Sequence, residues 1–183
     1  MLAGHTLPYR GMTDLSFPGY RSFGAPPDDP YRLKWDAVRP SLDGPLPVLN
    51  LSSPEDVDLV VNTAVKYLKE PSGVDVWQEP AVTWDLKRGD CEDYAILKYA
   101  ILRKAAIPVR VVIGEIKSIS GNEPHAWCAA YLDGAWRALD QKFPEIIKVS
   151  DYINWLPLAA MHDDTVLLFT PAKTFTINQE IGS

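Results

Sequence analysis

One cysteine stands among three carboxylates in the stretch KRGDCEDYAILKYAILRK, where Cys91 lies between Asp90 and Glu92 with Asp93 one further on. If Asp90 caps a helix, Cys91 is its first residue and its sulfur lies near unpaired backbone N–H groups and the positive end of the helix dipole. That position favours the thiolate, the nucleophilic form of the side chain. A nucleophilic cysteine needs a base, and the chain offers His5, His125 and His162. His5 falls in a proline-rich region and His162 in MHDD, both simply read as solvated. His125 begins a run, HAWCAAYL, that is followed by Asp133-Gly134 and a second apolar run, AWRALD. Asp-Gly between two such runs signals a two-residue hairpin turn. Counting outward from that turn, Leu132 faces Ala135, Tyr131 faces Trp136 and Trp127 faces Asp140. His125 shares a sheet face with Trp127, so His125 and Asp140 are diagonal neighbours, at a Cβ separation of roughly 7 Å that a hydrogen bond can bridge. Cysteine, imidazole and carboxylate in this relation are the parts of a thiol nucleophile with an oriented base. The same parity puts Cys128 on the other face, as a core residue.

The elements that must carry these groups can be read outward from them. The nucleophile helix spans about Cys91 to Ala105, with Ala95, Tyr99 and Leu102 on one face and Pro108 stopping it. An earlier helix begins at SSPEDVDLVVNTAVKYLKE, where Ser53 caps, Pro54 fits the first turn and Asp56 completes a capping-box-like pattern. Its apolar stripe runs through Val57, Val60, Val61, Ala64, Val65 and Leu68. The stretch PSGVDVWQEPAVTWDLKRG between the two helices reads as a loop. PVRVVIGEIK reads as a strand, SISGNEP as a turn, and TVLLFT as a late strand. Helices followed by an antiparallel sheet predict an α+β fold. Residues 1–50 hold half of the sixteen prolines and read as an extended, non-helical arm whose aromatics pack on the body, leaving residues 51–183 as one domain.

At 183 residues and 46% hydrophobic content the chain has the makings of one ordinary core. Its net charge of −6, without a run of Lys and Arg interleaved with aromatics, argues against a nucleic-acid partner. No window approaches the roughly 18 to 20 apolar residues of a membrane span, so no membrane insertion is expected. The first residues lack the pattern of a secretory signal, which fits either a cytoplasmic protein or a mature chain whose signal has been removed. Two cysteines imply no disulfide framework, and no pair among Cys91, Cys128 and the histidines has zinc-ligand spacing.

GDCEDYA, a histidine opening a strand and Leu139-Asp140 closing the next, in that order, resemble the core of transglutaminase-like cysteine peptidases. GDCEDYA, with Trp77 and Pro80 upstream, is more narrowly similar to the bacterial transglutaminase-like cysteine proteinase family. The resemblance covers roughly residues 55 to 145. It implies a papain-like arrangement in which the nucleophile helix packs on an antiparallel sheet. Cys91 would attack a peptide carbonyl, His125 act as base and then acid, and Asp140 orient His125. The Cys91 backbone N–H would donate to the oxyanion, with Trp77, Gln78 or Trp84 as the second donor and Trp77 favoured by the family pattern. In that family the acids flanking the cysteine are associated with bound calcium, which carries over to Asp90 and Glu92, whose hard oxygens suit Ca²⁺. Without a metal, Asp90 caps the helix, and Glu92 and Asp93 complement its dipole. The resemblance further implies a protein or peptide substrate, an adhesin by family habit, and admits a regulatory protein partner. Two other functions use the same residues: acyl transfer to an amine, as in transglutaminases, and a non-catalytic binding module.

Overall fold

The computed structural model describes residues 17–46, 53–71, 73–143, 145–151 and 154–172. His5 lies outside them. Strand β1 (Tyr20–Gly24) is followed by helix α1 (Pro30–Val38), a 3-10 turn at Arg39–Asp43, and helix α2 (Pro54–Ala64). Two short strands, β2 (Lys66–Tyr67) and β3 (Arg88–Gly89), bracket helix α3 (Pro80–Leu86) and lead into helix α4 (Cys91–Lys104). The rest is sheet: β4 (Val109–Ser118), β5 (Gly121–Leu132), β6 (Ala135–Leu139), β7 (Ile147–Lys148), β8 (Trp155–His162) and β9 (Thr165–Pro171). Seven strands form one antiparallel sheet in the order β1-β9-β8-β4-β5-β6-β7, while β2 and β3 pair in parallel beside it. The fold is α+β, with helix α4 laid on the antiparallel sheet as expected.

The sheet has two buried faces. One carries Val109, Val111, Ala126, Cys128, Leu139 and Met161 against α4, α2 and Trp35 of α1. The other carries Val112, Trp127, Ala138, Trp155 and Ala160 against Phe17 and Phe169. Residues two apart along β5 therefore face one way, and Cys128 and Trp127 fall into different cores, as the strand period requires. The Asp133-Gly134 turn has both residues at positive φ, and the register it sets is Leu132↔Ala135, Tyr131↔Trp136 and Cys128↔Leu139.

Four expectations need correction. Residues 30–43 are helical, not extended: Asp29 accepts from the N–H groups of Tyr31 and Arg32, and Pro30 sits in the first turn, where a proline has no intrahelical bond to lose. Trp35 of this helix is fully buried and donates to the Asp163 carbonyl at 2.7 Å, while β1 pairs with β9, so residues 20–43 belong to the body. The stretch after Pro71 is not all loop, because Pro80 starts α3 in the same way and Lys87 ends it in the left-handed conformation. Finally, the turn expected over 118–124 is confined to Ile119 and Ser120, since Ser118 already pairs with Gly121. Helix α2 stops at Ala64, and Leu68, read as part of its stripe, is exposed.

Candidate active site

Helix α4 begins at Cys91, with Asp90 in extended conformation as its N-cap. Asp93 reaches back to accept the Asp90 backbone N–H at 3.1 Å, and also accepts the Gln78 backbone N–H at 2.8 Å and its side-chain amide at 2.6 Å. The glycine before them is needed for space: a Cβ on Gly89 would lie 2.6 Å from Asp93 Cβ. GDCED is thus a packed local unit, with Asp93 as its buried centre. Burial holds the Asp93 carboxyl up at about 7, against the pull of its Gln78 bond.

The thiol of Cys91 is half-buried and donates to Glu92 Oε2 at 3.1 Å. Burial raises its pKa first, and the Glu92 charge and hydrogen bond raise it further; the Ala126 backbone N–H at the sulfur works the other way. Desolvation and a neighbouring carboxylate thus oppose the pull of the helix end towards thiolate. Glu92 itself is pushed up to about 8, by burial and then by the charge of Asp90, and burial raises Asp90 as well.

On β5, His125 is opposite Gly114 of β4. Its Nε2 lies 2.7 Å from Asp140 Oδ2, and both residues are buried. Asp140 Oδ1 accepts the Lys142 backbone N–H at 2.8 Å, so both carboxylate oxygens are engaged. With Nε2 committed to Asp140, Nδ1 is the nitrogen left for another partner. The imidazole stacks near Trp127 (centroids 6.3 Å, planes 20° apart) and meets Trp155 edge-on at 6.2 Å. Those rings limit its rotation and keep water from the pair. Gly114 makes room for them, since a Cβ there would lie 2.4 Å from the Leu156 carbonyl oxygen and 3.0 Å from Trp127.

Cys91 and His125 both line a cleft of about 200 Å³, together with Trp77, Glu92, Gly114, Ala126 and Leu158. Among the described residues no hydrogen bond joins the thiol to the imidazole, because the thiol is turned to Glu92. Of the three residues expected as side-chain oxyanion donors, only Trp77 lines the cleft. Gln78 spends its amide on Asp93, and Trp84 lies outside the lining, with Lys87 Nζ 3.2 Å over its ring. Helix α1 adds Tyr31 and Lys34 to the wall, and Lys34 pairs with Asp75 and sits 5.5 Å over Trp77. Nothing in the proline pattern of residues 1–50 signalled that contribution. His162 lies far along β8 and is not simply solvated: its Nδ1 is 3.2 Å from the Tyr99 hydroxyl.

The model of the transglutaminase-like superfamily matches residues 51–141, about half of the chain and the part that holds α2, α4 and the His125–Asp140 hairpin. The chain belongs to the transglutaminase-like superfamily. Among solved structures, it is similar to calcium-bound LapG of Legionella pneumophila, with 24% identity over 75% of this chain and 78% of that one and a TM-score of 0.57. A second structure of that LapG is 25% identical over 75% of this chain and 78% of that one, at a TM-score of 0.56. An EGTA-treated form is likewise 25% identical over 75% of this chain and 76% of that one, also at 0.56. A search of curated proteins finds no match.

Proposed function

We propose that this chain is a cysteine peptidase that hydrolyses a peptide bond of a protein substrate through Cys91, His125 and Asp140. The observation that carries the reading is the buried 2.7 Å contact of His125 Nε2 with Asp140 in the wall of the cleft that also holds Cys91. Asp140 fixes the imidazole with Nε2 as donor and Nδ1 as acceptor. The acceptor nitrogen takes the thiol proton as the sulfur, released from Glu92, attacks the scissile carbonyl. The imidazolium then returns that proton to the leaving amine, and water, deprotonated by the same nitrogen, hydrolyses the thioester. The Cys91 N–H, in the first turn of α4 without an intrahelical acceptor, would support the oxyanion, and Trp77, which lines the same cleft, is the candidate for the second donor.

Asp90 and Glu92 suit a calcium ion in donor type. Asp90 Oδ1 is buried with no partner among the described groups; burial raises both carboxyls, and the Asp90 charge raises Glu92 further. No third His, Cys, Asp or Glu joins them among the described residues, so backbone carbonyls and water would complete the six to eight ligands. When bound, calcium would supply positive charge beside the thiol, offsetting the two carboxylates. The calcium-bound and EGTA-treated forms of LapG support this reading by similarity.

One observation favours a second reading. The thiol's partner is Glu92 and not His125, as a transglutaminase-like fold retained for binding would allow. Iodoacetamide labelling separates the two. The peptidase reading expects Cys91 to be alkylated and cleavage of a fluorescein-labelled casein to stop in proportion, with the circular dichroism spectrum unchanged. Full alkylation of Cys91 with undiminished cleavage would overturn it.

A further inference from the structure

Asp140 follows the last residue of β6, where the strand leaves its ladders: the final pairs are Cys128↔Leu139 on one side and Ala138↔Ile147 on the other. The Leu139 carbonyl lies at the edge of the ladders and the Asp140 carbonyl beyond them. Two polar side chains from the helical layer reach these groups. Lys98 Nζ donates to the Leu139 carbonyl at 3.5 Å, and Asn62 Nδ2 to the Asp140 carbonyl at 3.4 Å. Both are tied to Asp58, which accepts from Lys98 at 2.6 Å and from Asn62 at 3.0 Å. Asp58 and Asn62 are one turn apart on α2, so one face of that helix presents both. Lys98 is fully buried and Asp58 nearly so.

Position 98 is where the sequence least demands a lysine. It lies two helical turns from Cys91, so the helix that presents the thiol presents, on the same side, the cation that grips the strand end beside Asp140. A buried ion pair is costly to desolvate, and apolar residues of the same size would pack at least as well. Its geometry, by contrast, ties the nucleophile helix to the strand that carries the carboxylate.

We propose that Lys98, Asp58 and Asn62 are positioning residues, which hold the end of β6 so that Asp140 keeps its bond to His125. The inference rests on the peptidase reading for its catalytic meaning, but its structural content is separate. Loosening these ties lets the strand end shift, and His125 loses its fixed donor–acceptor assignment.

The test is ¹⁵N NMR of the His125 ring in the full chain, with His5→Gln and His162→Gln replacements to assign it. The reference protein shows Nε2 protonated and Nδ1 unprotonated, with the Nε2–H proton protected from exchange. Lys98→Met alone leaves the buried Asp58 charge uncompensated, so the working variants are Asn62→Leu and the double Lys98→Met/Asp58→Leu, which removes both charges together. Each is expected to lose the protected Nε2–H signal and show averaged ring nitrogens, while keeping native backbone dispersion. On labelled casein, kcat is expected to fall roughly 10- to 100-fold with KM nearly unchanged, as displacement of a reacting group by about 1 Å would cause. Folded variants that keep the protected signal overturn the proposal, whatever casein does. If instead the signal is lost as expected but Cys91→Ala still cleaves, the positioning stands and the peptidase reading falls.

Discussion

Replacing Asp140 by Asn tests the orientation of the base, and the structure dictates how the amide must sit. Asp140 Oδ1 accepts the Lys142 backbone N–H at 2.8 Å, and Oδ2 faces His125 Nε2 at 2.7 Å. In the Asn variant the carbonyl oxygen has to stay on the Lys142 side, because the amide NH₂ there would oppose another donor. The NH₂ therefore points at His125 and turns Nε2 into an acceptor. The proton moves to Nδ1, the nitrogen meant to accept from Cys91. Restoring the working tautomer requires turning the amide, which strands a buried donor at about 1 to 3 kcal/mol, and the imidazolium loses a charged hydrogen bond worth about 1.5 to 3 kcal/mol. The sum, about 2.5 to 6 kcal/mol, corresponds to a loss of about 10²- to 10⁴-fold in kcat at 1.36 kcal/mol per decade. The upper end matches the loss of about 10⁴ recorded for the corresponding replacement in a serine-protease triad. The assay is initial-rate cleavage of labelled casein, with ¹⁵N shifts of His125 read on the same protein. A variant that folds, shows the Nδ1–H tautomer and still cleaves with less than about a tenfold loss would refute the reasoning.

Calcium is expected to raise the melting temperature of the protein, with EGTA reversing the rise, and Asp90→Asn or Glu92→Gln should each abolish the calcium-dependent part; a wild-type response in the Asp90→Asn/Glu92→Gln double variant would contradict the assignment. Gly114→Ala places a Cβ 2.4 Å from the Leu156 carbonyl and against Trp127, so it should cost about 1 to 3 kcal/mol in urea unfolding and weaken the indole packing beside His125. Trp35→Ala removes a fully buried indole and its 2.7 Å bond to Asp163, and should cost about 3 to 5 kcal/mol, whereas a free arm would lose almost nothing.

The parts of the site legible in the sequence were those set by local rules. Asp133-Gly134 admits a tight turn, and the turn fixes the register that brings His125 to Asp140. Ser53 and Asp90 mark helix starts, and Ser53 indeed accepts the Asp56 N–H at 3.1 Å. Where one residue type serves two purposes, reading failed. Pro30 and Pro80 looked like breakers, yet each opens a helix, so α1 and α3 were missed. Strand β8 was missed because Pro157 interrupts its pattern; the strand accommodates it at the register shift beside Gly114. Contacts between distant elements left no periodic trace. A lysine in a helix reads as solvated, and only the packed structure shows Lys98 buried against Asp58 of another helix. The bond between Cys91 and Glu92 is hidden in the same way, since dipole arguments weigh the helix end but not desolvation.

The central claim is that Cys91 carries the acyl group, and acid-quenched mass spectrometry of the protein mixed with casein tests it most directly. The account predicts a substrate fragment held on Cys91 as a thioester labile to hydroxylamine, absent from Cys91→Ala, which also forms no cleavage products. Cleavage by Cys91→Ala at the wild-type rate would contradict it.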